Sequence, residues 1–400
     1  MKIAFVIPWY QEQIPGGAEA ELRGYVHKLI EAGIDVEILT TRVKEFTADW
    51  NVNYYPEGCR QESGITIHRF NVRKRDTEKF GAVNAKLMSD EKISEAEEEI
   101  FMREMVNSPD LCKYIKDKHD EYDLFVFIPY MFGTTYYGML ECLDKAVMIP
   151  CFHDESYVYM DIYKNAFEYA AGFIYNAEAE KRLANKIFNL SGSEQMVLGV
   201  GIDTEYSYDA DGFRNKYDIH DPFILYAGRK DVGKNIYLLI KYFREYKKRH
   251  HESQLKLVLI GGGEVDLPQD IKKEVIDLGF VDKQDKYDAC AASIALCQPS
   301  VHESFSIVIM ESWLSERPVL VHEKCEVTTD FVKNSNGGLY FKNYYDFEGC
   351  INYFIDNPEI ATKMGQNGRK YVLNNFAWKI VVNRMIKFFE VIINKGKDNG

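Results

Sequence analysis

Short apolar runs alternate along this chain with longer stretches in which apolar residues recur every three to four positions. In the first half the runs are KIAFVIP (2–8), DVEILTT (35–41), ITIHRF (65–70), DLFVFIP (123–129), AVMIPC (146–151), AGFIYN (171–176) and QMVLGV (195–200). In the second half they are FILYAG (223–228), KLVLIGGG (256–263), LGFV (278–281), SIALCQPS (293–300), RPVLVH (317–322) and GGLYF (337–341). Each has the length and β-branched content of a buried strand. Between the first two, AEAELRGYVHKLIEAG (18–33) repeats at helical spacing and stops on Gly33. Residues 84–119 are charged and helical in pattern, another helix starts near residue 235, and a charged helical tail runs from about 378 to 396. Strands alternating with helices predict an α/β fold, a parallel sheet with helices on both faces. The scheme runs twice, so a pair of doubly wound domains is expected. They meet near residues 200–221, where Gly, Asp and Tyr mix before a new strand.

Length agrees, since 400 residues exceed one ordinary domain. Hydrophobic residues make up 46% and charged residues 28%, a globular composition. A net charge of −13 argues against a general nucleic-acid binder. The eight cysteines form no C-x-x-C pair, which favours buried free thiols in a reducing compartment over a disulfide framework. MKIAFVIP at the start is too short for a signal peptide, and no apolar window is long enough to span a bilayer. A soluble cytoplasmic protein is the expectation.

In open α/β sheets ligands sit at the carboxyl ends of the strands. PGGAEAE (15–21) brings Gly16 and Gly17 to the start of a helix, where exposed amides suit an anion. The spacing is not G-x-G-x-x-G, and an ordinary glycine turn stays open. In GRKDVGKN (228–235), Arg229 and Lys234 converge on one diphosphate if the loop doubles back; otherwise they form a solvated basic loop. Asn235 after the lysine and the missing first glycine exclude a P-loop. The glycines at 261–263 permit close approach to a ligand or only a tight turn. His153 in FHDES (152–156) lies just past a strand, as a catalytic group or a hydrogen-bonded histidine. Consecutive His-Asp-Glu does not present three ligands to one ion, and no other histidine spacing suits a metal. PSVHESFSIVIMESWL (299–314) places Glu303 and Glu311 eight positions apart around an apolar run. A helix starting near Ser306 puts Ile307, Met310 and Leu314 on one stripe with Glu311 beside it. A carboxylate there needs partners, and ligand hydroxyls suit. The β-branched run 307–309 leaves a strand open as well.

Together these elements resemble retaining glycosyltransferases of the GT-B fold, family 4 (glycosyl transferases group 1). P-S-x-x-E-S-F-S-x-x-x-x-E is similar to the family's E-x7-E signature, with Ser304 and Ser306 where glycines are commoner. GRKDVGK resembles its G-R-x-x-x-x-K element and PGGAE its N-terminal glycine loop. IGGGE, LGFV and VLGVGIDTEYS (197–207) match further elements, in order, over nearly the whole chain. The resemblance implies two Rossmann-like domains facing across a cleft. Residues 1–203 would bind the acceptor, 204–377 the nucleotide sugar, and the helix in 378–400 would cross back to the first domain. Arg229 and Lys234 would neutralise the donor diphosphate, with Gly262 beside it. Glu303 would bind hydroxyls of the transferred sugar, with Ser304 and the amides of Phe305 and Ser306 nearby. Glu311 would take the ribose and Val281 would lie near the base. Gly17 would admit the donor phosphate or the acceptor, and His153 would contact the sugar near the reacting carbon. The chemistry implied is retaining front-face transfer, with no cofactor and no metal. Glu303 and Glu311 are then not a hydrolase's acid and nucleophile.

The implied partners are a GDP- or UDP-sugar and a glycan or polyprenyl-diphosphate-linked acceptor. Segment 46–70 resembles a region in relatives linked to bacterial surface polysaccharides. Arg69, Arg73, Lys74, Arg75 and Lys79 form a basic cluster that would touch that acceptor or the anionic inner membrane surface, or be a solvated loop. Two further readings share the fold: a nucleotide-sugar 2-epimerase, and a degenerate transferase kept as a partner subunit.

Overall fold

The computed structural model describes residues 1–14, 16–205 and 207–398. Pro15 of the glycine loop and Tyr206 of the interdomain stretch lie outside the described residues. The chain divides into two compact units, Met1–Gly201 with Val381–Gly400, and Ile202–Ile380. The sequence pattern and the resemblance put the divisions at 203/204 and 377/378, within three residues of these.

The first unit holds strands β1 (Lys2–Ile7), β2 (Asp35–Thr41), β3 (Gly58–Glu62), β4 (Ile65–Phe70), β5 (Leu124–Phe127), β6 (Ala146–Met148), β7 (Gly172–Tyr175) and β8 (Glu194–Val197). Their order is β3-β4-β2-β1-β5-β6-β7-β8, parallel except for β3 against β4. β1, β5, β6 and β7 are buried on both faces, which is why they read as continuous apolar runs. β3 is GCRQE, almost wholly exposed, and carries no apolar alternation by which sequence could find it. It is a charged edge that blunts further pairing. The charged stretch 84–119 resolves into three helices, of which the first begins at Thr77. Asp76 caps Thr77–Met88, a Ser94–Glu97 capping box starts Glu95–Glu104, and Ser108 caps Pro109–Asp117. The run 195–200 is strand only to Val197, because Gly199 turns at φ 75°.

The last helix, Trp378–Asp398, packs on the first unit from Val381 onward. Any side chain at Gly172 would collide with Ile392 and Phe388. Arg384 donates to the Val197 carbonyl at 2.6 Å, and Lys395 pairs with Glu194 at 2.8 Å.

The second unit holds β9 (Phe223–Ala227), β10 (Lys256–Ile260), β11 (Val275–Asp277), β12 (Ala295–Gln298), β13 (Val319–His322) and β14 (Gly338–Phe341). The order is β11-β10-β9-β12-β13-β14, all parallel. The strand expected at LGFV is instead Val275–Asp277. Gly279 turns at φ 65° and Phe280 is 88% exposed, so LGFV is the loop after β11. In the first sheet strand order reverses between β1 and β5, in the second between β9 and β12. Such switch points open crevices at the strand ends. All eight cysteines are free; four are buried, but Cys59 is exposed, unlike the buried thiols expected.

The ends of β9 and β10 run against each other. Gly228 donates to the Ile260 carbonyl at 2.9 Å and Lys230 to the Gly262 carbonyl at 2.8 Å. Gly261 sits at φ +129°, and a Cβ there would overlap the Gly228 carbonyl. Gly262 opens to space. Gly261→Ala is therefore expected to destabilise the second unit by about 3 kcal/mol from strain plus overlap. Urea denaturation should show a lower midpoint for that unit, with Gly262→Ala nearly silent.

Candidate functional site

In the second unit the two strands at the switch point deliver the motif residues. After β9 the backbone makes a tight turn, Val232–Lys234, in which Asp231 accepts from the Lys234 amide at 3.0 Å. Asn235 follows in the left-handed region, φ 56°, and its side chain donates to the Pro299 carbonyl at 3.0 Å. The β9 and β12 loops are thus tied together. Lys234 Nζ lies 2.8 Å from Glu303 Oε1, and the Glu303 side chain is only 9% exposed. Gln298, at the end of β12, donates to the same oxygen at 3.3 Å. Lysine carries three N–H donors, so donors beyond the one on Glu303 remain for an anion.

Arg229 does not join this pair. Its side chain is 74% exposed and lies 3.4 Å from Asp231, an exposed contact worth little. The buried cation of the loop is Lys230, which sequence reading passed over. It donates to both Asp277 oxygens, at 2.6 and 2.8 Å, and ties the β9 loop to the end of β11. Gly261 N in turn donates to the Gly279 carbonyl at 2.7 Å, so Gly262 and Val281 belong to neighbouring loops of this strand-end region.

The run after Ser306 is a helix, Ile307–Leu314, despite its β-branched start. Glu311 is buried on it and accepts from Lys286 at 2.6 Å. Burial pushes the Glu311 carboxyl up, against the opposing pull of Lys286. Phe305 is wedged between Phe331 and Phe376, 5.3 and 5.0 Å between ring centres. That anchors the loop bearing Glu303 and Ser304. Ser306 begins the helix at φ 77° and is buried, a conformation glycine takes without cost and serine does not.

In the first unit Gly16 carries the conformational demand of the glycine loop, at φ +145°, where a Cβ would strike Glu19. Gly17 starts helix Gly17–Glu31 with open space around it. His153 follows β6, with Nδ1 3.7 Å from Glu155. The basic cluster of residues 69–79 is dispersed. Arg69 is 2% exposed and salt-bridged to Glu62, Arg73 is doubly bonded to Glu104, and Lys79 pairs with Asp76. Arg75 lies over the rings of Trp50 and Phe80, at 4.6 and 4.1 Å. Lys74 and Lys79 are the two of the five that stay exposed at the surface.

Sequence reading also missed a buried acid cluster at the ends of β6 and β7. Glu180 accepts from the amides of Phe152 and Asn176 at 2.7 and 2.6 Å. Glu21 accepts from Asn176 Nδ2 at 3.0 Å. Burial raises the two carboxyls to about 7 for Glu21 and about 8 for Glu180. Glu21 Oε1 and Asn176 Oδ1 are both buried without a hydrogen-bond partner. A proton on Glu21 would provide a donor where two acceptors otherwise stand bare. The only signal in the sequence was polar residues facing the core side of their helices.

Two outcomes are expected. Ser306→Gly should stabilise the second unit by about 1 kcal/mol in chemical denaturation, by releasing left-handed strain. Glu21 and Glu180 bind their protons more tightly folded than unfolded, so their contribution is full below the ordinary value of 4.5 and fades as pH rises through about 7 and 8. The unfolding midpoint of the first unit should fall from pH 5 to pH 8.5, and Glu21→Gln should flatten part of that fall.

Residues 209–371, inside the second unit, match the family model for glycosyl transferases group 1. The chain is 22% identical to an uncharacterized glycosyltransferase of Methanocaldococcus jannaschii, over 98% of each protein. It is 24% identical to the O-antigen chain mannosyltransferase C of Escherichia coli over 44% of this chain and 51% of that one. The structure of Anabaena HepE in complex with UDP and glucose matches with a TM-score of 0.68 at 16% identity, covering 98% of this chain and 99% of that one. The chain has the GT-B fold of two parallel-sheet Rossmann-like units, and its residues 209–371 are similar to glycosyl transferases group 1.

Proposed function

We propose that the protein is a retaining, metal-independent family 4 glycosyltransferase that moves a sugar from a GDP- or UDP-sugar to a glycan or lipid-linked acceptor. The observation that carries this is the Lys234–Glu303 pair at the switch point of the second sheet. It sets a cation and a hydroxyl-accepting carboxylate side by side at the strand ends, inside the segment that matches the family. The matched family and relatives are transferases, which favours transfer over 2-epimerisation.

Breaking the bond between sugar and diphosphate builds negative charge on the leaving group. Lys234, with Arg229 swung in from its exposed contact, stabilises that charge. Glu303 orients the sugar through its hydroxyls and Glu311 receives the ribose. The amides of Phe305 and Ser306 complete the donor end, with Gly262 and Val281 toward the nucleotide. His153 is the contribution of the first unit beside the reacting carbon, and Gly17 leaves its helix start open to an anion. A leaving phosphate oxygen takes the acceptor's proton, so no protein nucleophile is required. HepE was crystallised with UDP and glucose and an O-antigen mannosyltransferase is among the relatives. These support a nucleotide-sugar donor and a cytoplasmic role in surface-polysaccharide synthesis. Among the described residues no helix is long and apolar enough to cross a membrane.

A thermal-shift panel of UDP, GDP and their sugars is expected to pick out one nucleotide, because a bound donor stabilises the native state. Lys234→Ala should abolish that shift and lower transfer about 10²-fold or more. Glu303→Gln should keep nucleotide binding and lose transfer. Full transfer by either variant would refute the assignment.

A further inference from the structure

The first unit contains two adjoining cavities of opposite character. One, about 510 Å³, has walls of Phe46, Trp50, Phe80, Leu87, Met88 and Phe132. The other, about 450 Å³, is bordered by Asp90, Glu91, Glu98, Asp154 and Asp161, with Lys92 as its one lining cation. Leu87, Asp90, Glu155 and Ser156 line both, so the cavities share a wall.

The apolar cavity is rigid on one side and unshielded on the other. Trp50 is stacked on Trp9 at 5.8 Å, and the Arg75 guanidinium lies across Trp50 and Phe80. Phe46 is 57% exposed and Met88 72% exposed, large apolar side chains left to water at a cost that an apolar ligand would relieve. In the acidic cavity Glu98 is consumed by the amides of Asp161 and Ile162. Asp154 accepts from Tyr159 and Asp161 pairs with Lys164. Among the described residues no three acidic, histidine or cysteine groups are gathered as metal ligands. Asp90 and Glu91, with Glu155, which already accepts from the Tyr130 hydroxyl at 3.4 Å, are acceptors for hydroxyl groups and repel anions. Glu155 also faces His153 at 3.7 Å, which joins the shared wall to the proposed catalytic end of this unit.

We infer that the two cavities together hold the acceptor, and that this acceptor is an amphiphile: an apolar chain in the aromatic cavity joined to a hydroxylated head without anionic groups in the acidic one. The inference rests on the transferase reading above and narrows its acceptor. A diphosphate-linked head would meet mostly like charge in the acidic cavity, where Lys92 is the one lining cation; of the arginines that sequence supplied for it, Arg69 and Arg73 are bound to Glu62 and Glu104 and Arg75 lies across the aromatic wall of the other cavity.

The test is calorimetric titration of the full chain with octyl glucoside below its micellar concentration, methyl glucoside and octyl phosphate, each with and without nucleotide. Octyl glucoside should bind at least tenfold tighter than either of the others. Phe46→Ala and Met88→Ser, both at exposed positions, should weaken it at least fivefold while leaving the nucleotide thermal shift intact. Asp90→Asn with Glu91→Gln should bring octyl phosphate closer to octyl glucoside. Equal binding of methyl and octyl glucosides overturns the apolar compartment, and octyl phosphate binding as tightly as octyl glucoside overturns the charge selection. Nucleotide binding without any amphiphile binding sinks this inference alone. Amphiphile binding without any nucleotide binding sinks the transferase reading, and with it the acceptor role.

Discussion

The strand ends at the switch point of the second unit depend on one half-buried ion pair, Lys234 with Glu303. A carboxylate that sheltered is expensive unless it is both paired and hydrogen-bonded. Lys234 provides the charge and Gln298 a further donor. Gln298 reaches Glu303 from the end of its own strand, but Lys234 could not unless the loops after β9 and β12 were held together. Asp231 shapes the β9 turn, Asn235 reaches across to the Pro299 carbonyl, and Phe305 fastens the other loop into an aromatic cluster. The sheet order explains why two segments about seventy positions apart in sequence can make this pair at all. β9 and β12 are hydrogen-bonded neighbours, so their following loops emerge side by side.

The fold was legible because both sheets are parallel and covered on both faces. Such strands must be apolar throughout, and runs like FILYA and ALCQ announce themselves. β3 was invisible for the opposite reason, being a polar edge whose pairing is decided by its neighbour β4. LGFV misled because an apolar composition survives in a loop when glycine at positive φ breaks the strand before it. At the site, residue types and strand ends were readable, since spacing alone brought Glu303 and Glu311 to one segment. Their partners were not. Lys286 lies 25 positions before Glu311, and nothing local indicates that Lys230 rather than Arg229 is the buried cation. The basic run 69–79 shows the same limit. Five cations adjacent in sequence look like a patch, but carboxylates from other segments bind two of them.

Ser306 shows how the two levels meet. The backbone there is left-handed, and a serine holds it at a cost of about 1 kcal/mol relative to glycine. Strain of this kind persists where the surroundings over-determine it, and here they do. Phe305 is locked on one side and the helix Ile307–Leu314 begins on the other. The serine hydroxyl lies 3.5 Å from Gln298 Nε2, the same amide that donates to Glu303. The carbonyl oxygen of that amide is buried without a partner, an uncommon cost in a folded interior. The segment from Gln298 to Ser306 thus carries backbone strain, an unanswered acceptor and a half-buried charge. A core optimised only for stability would remove all three, and their concentration at the end of β12 coincides with the strand ends on which the proposed function rests.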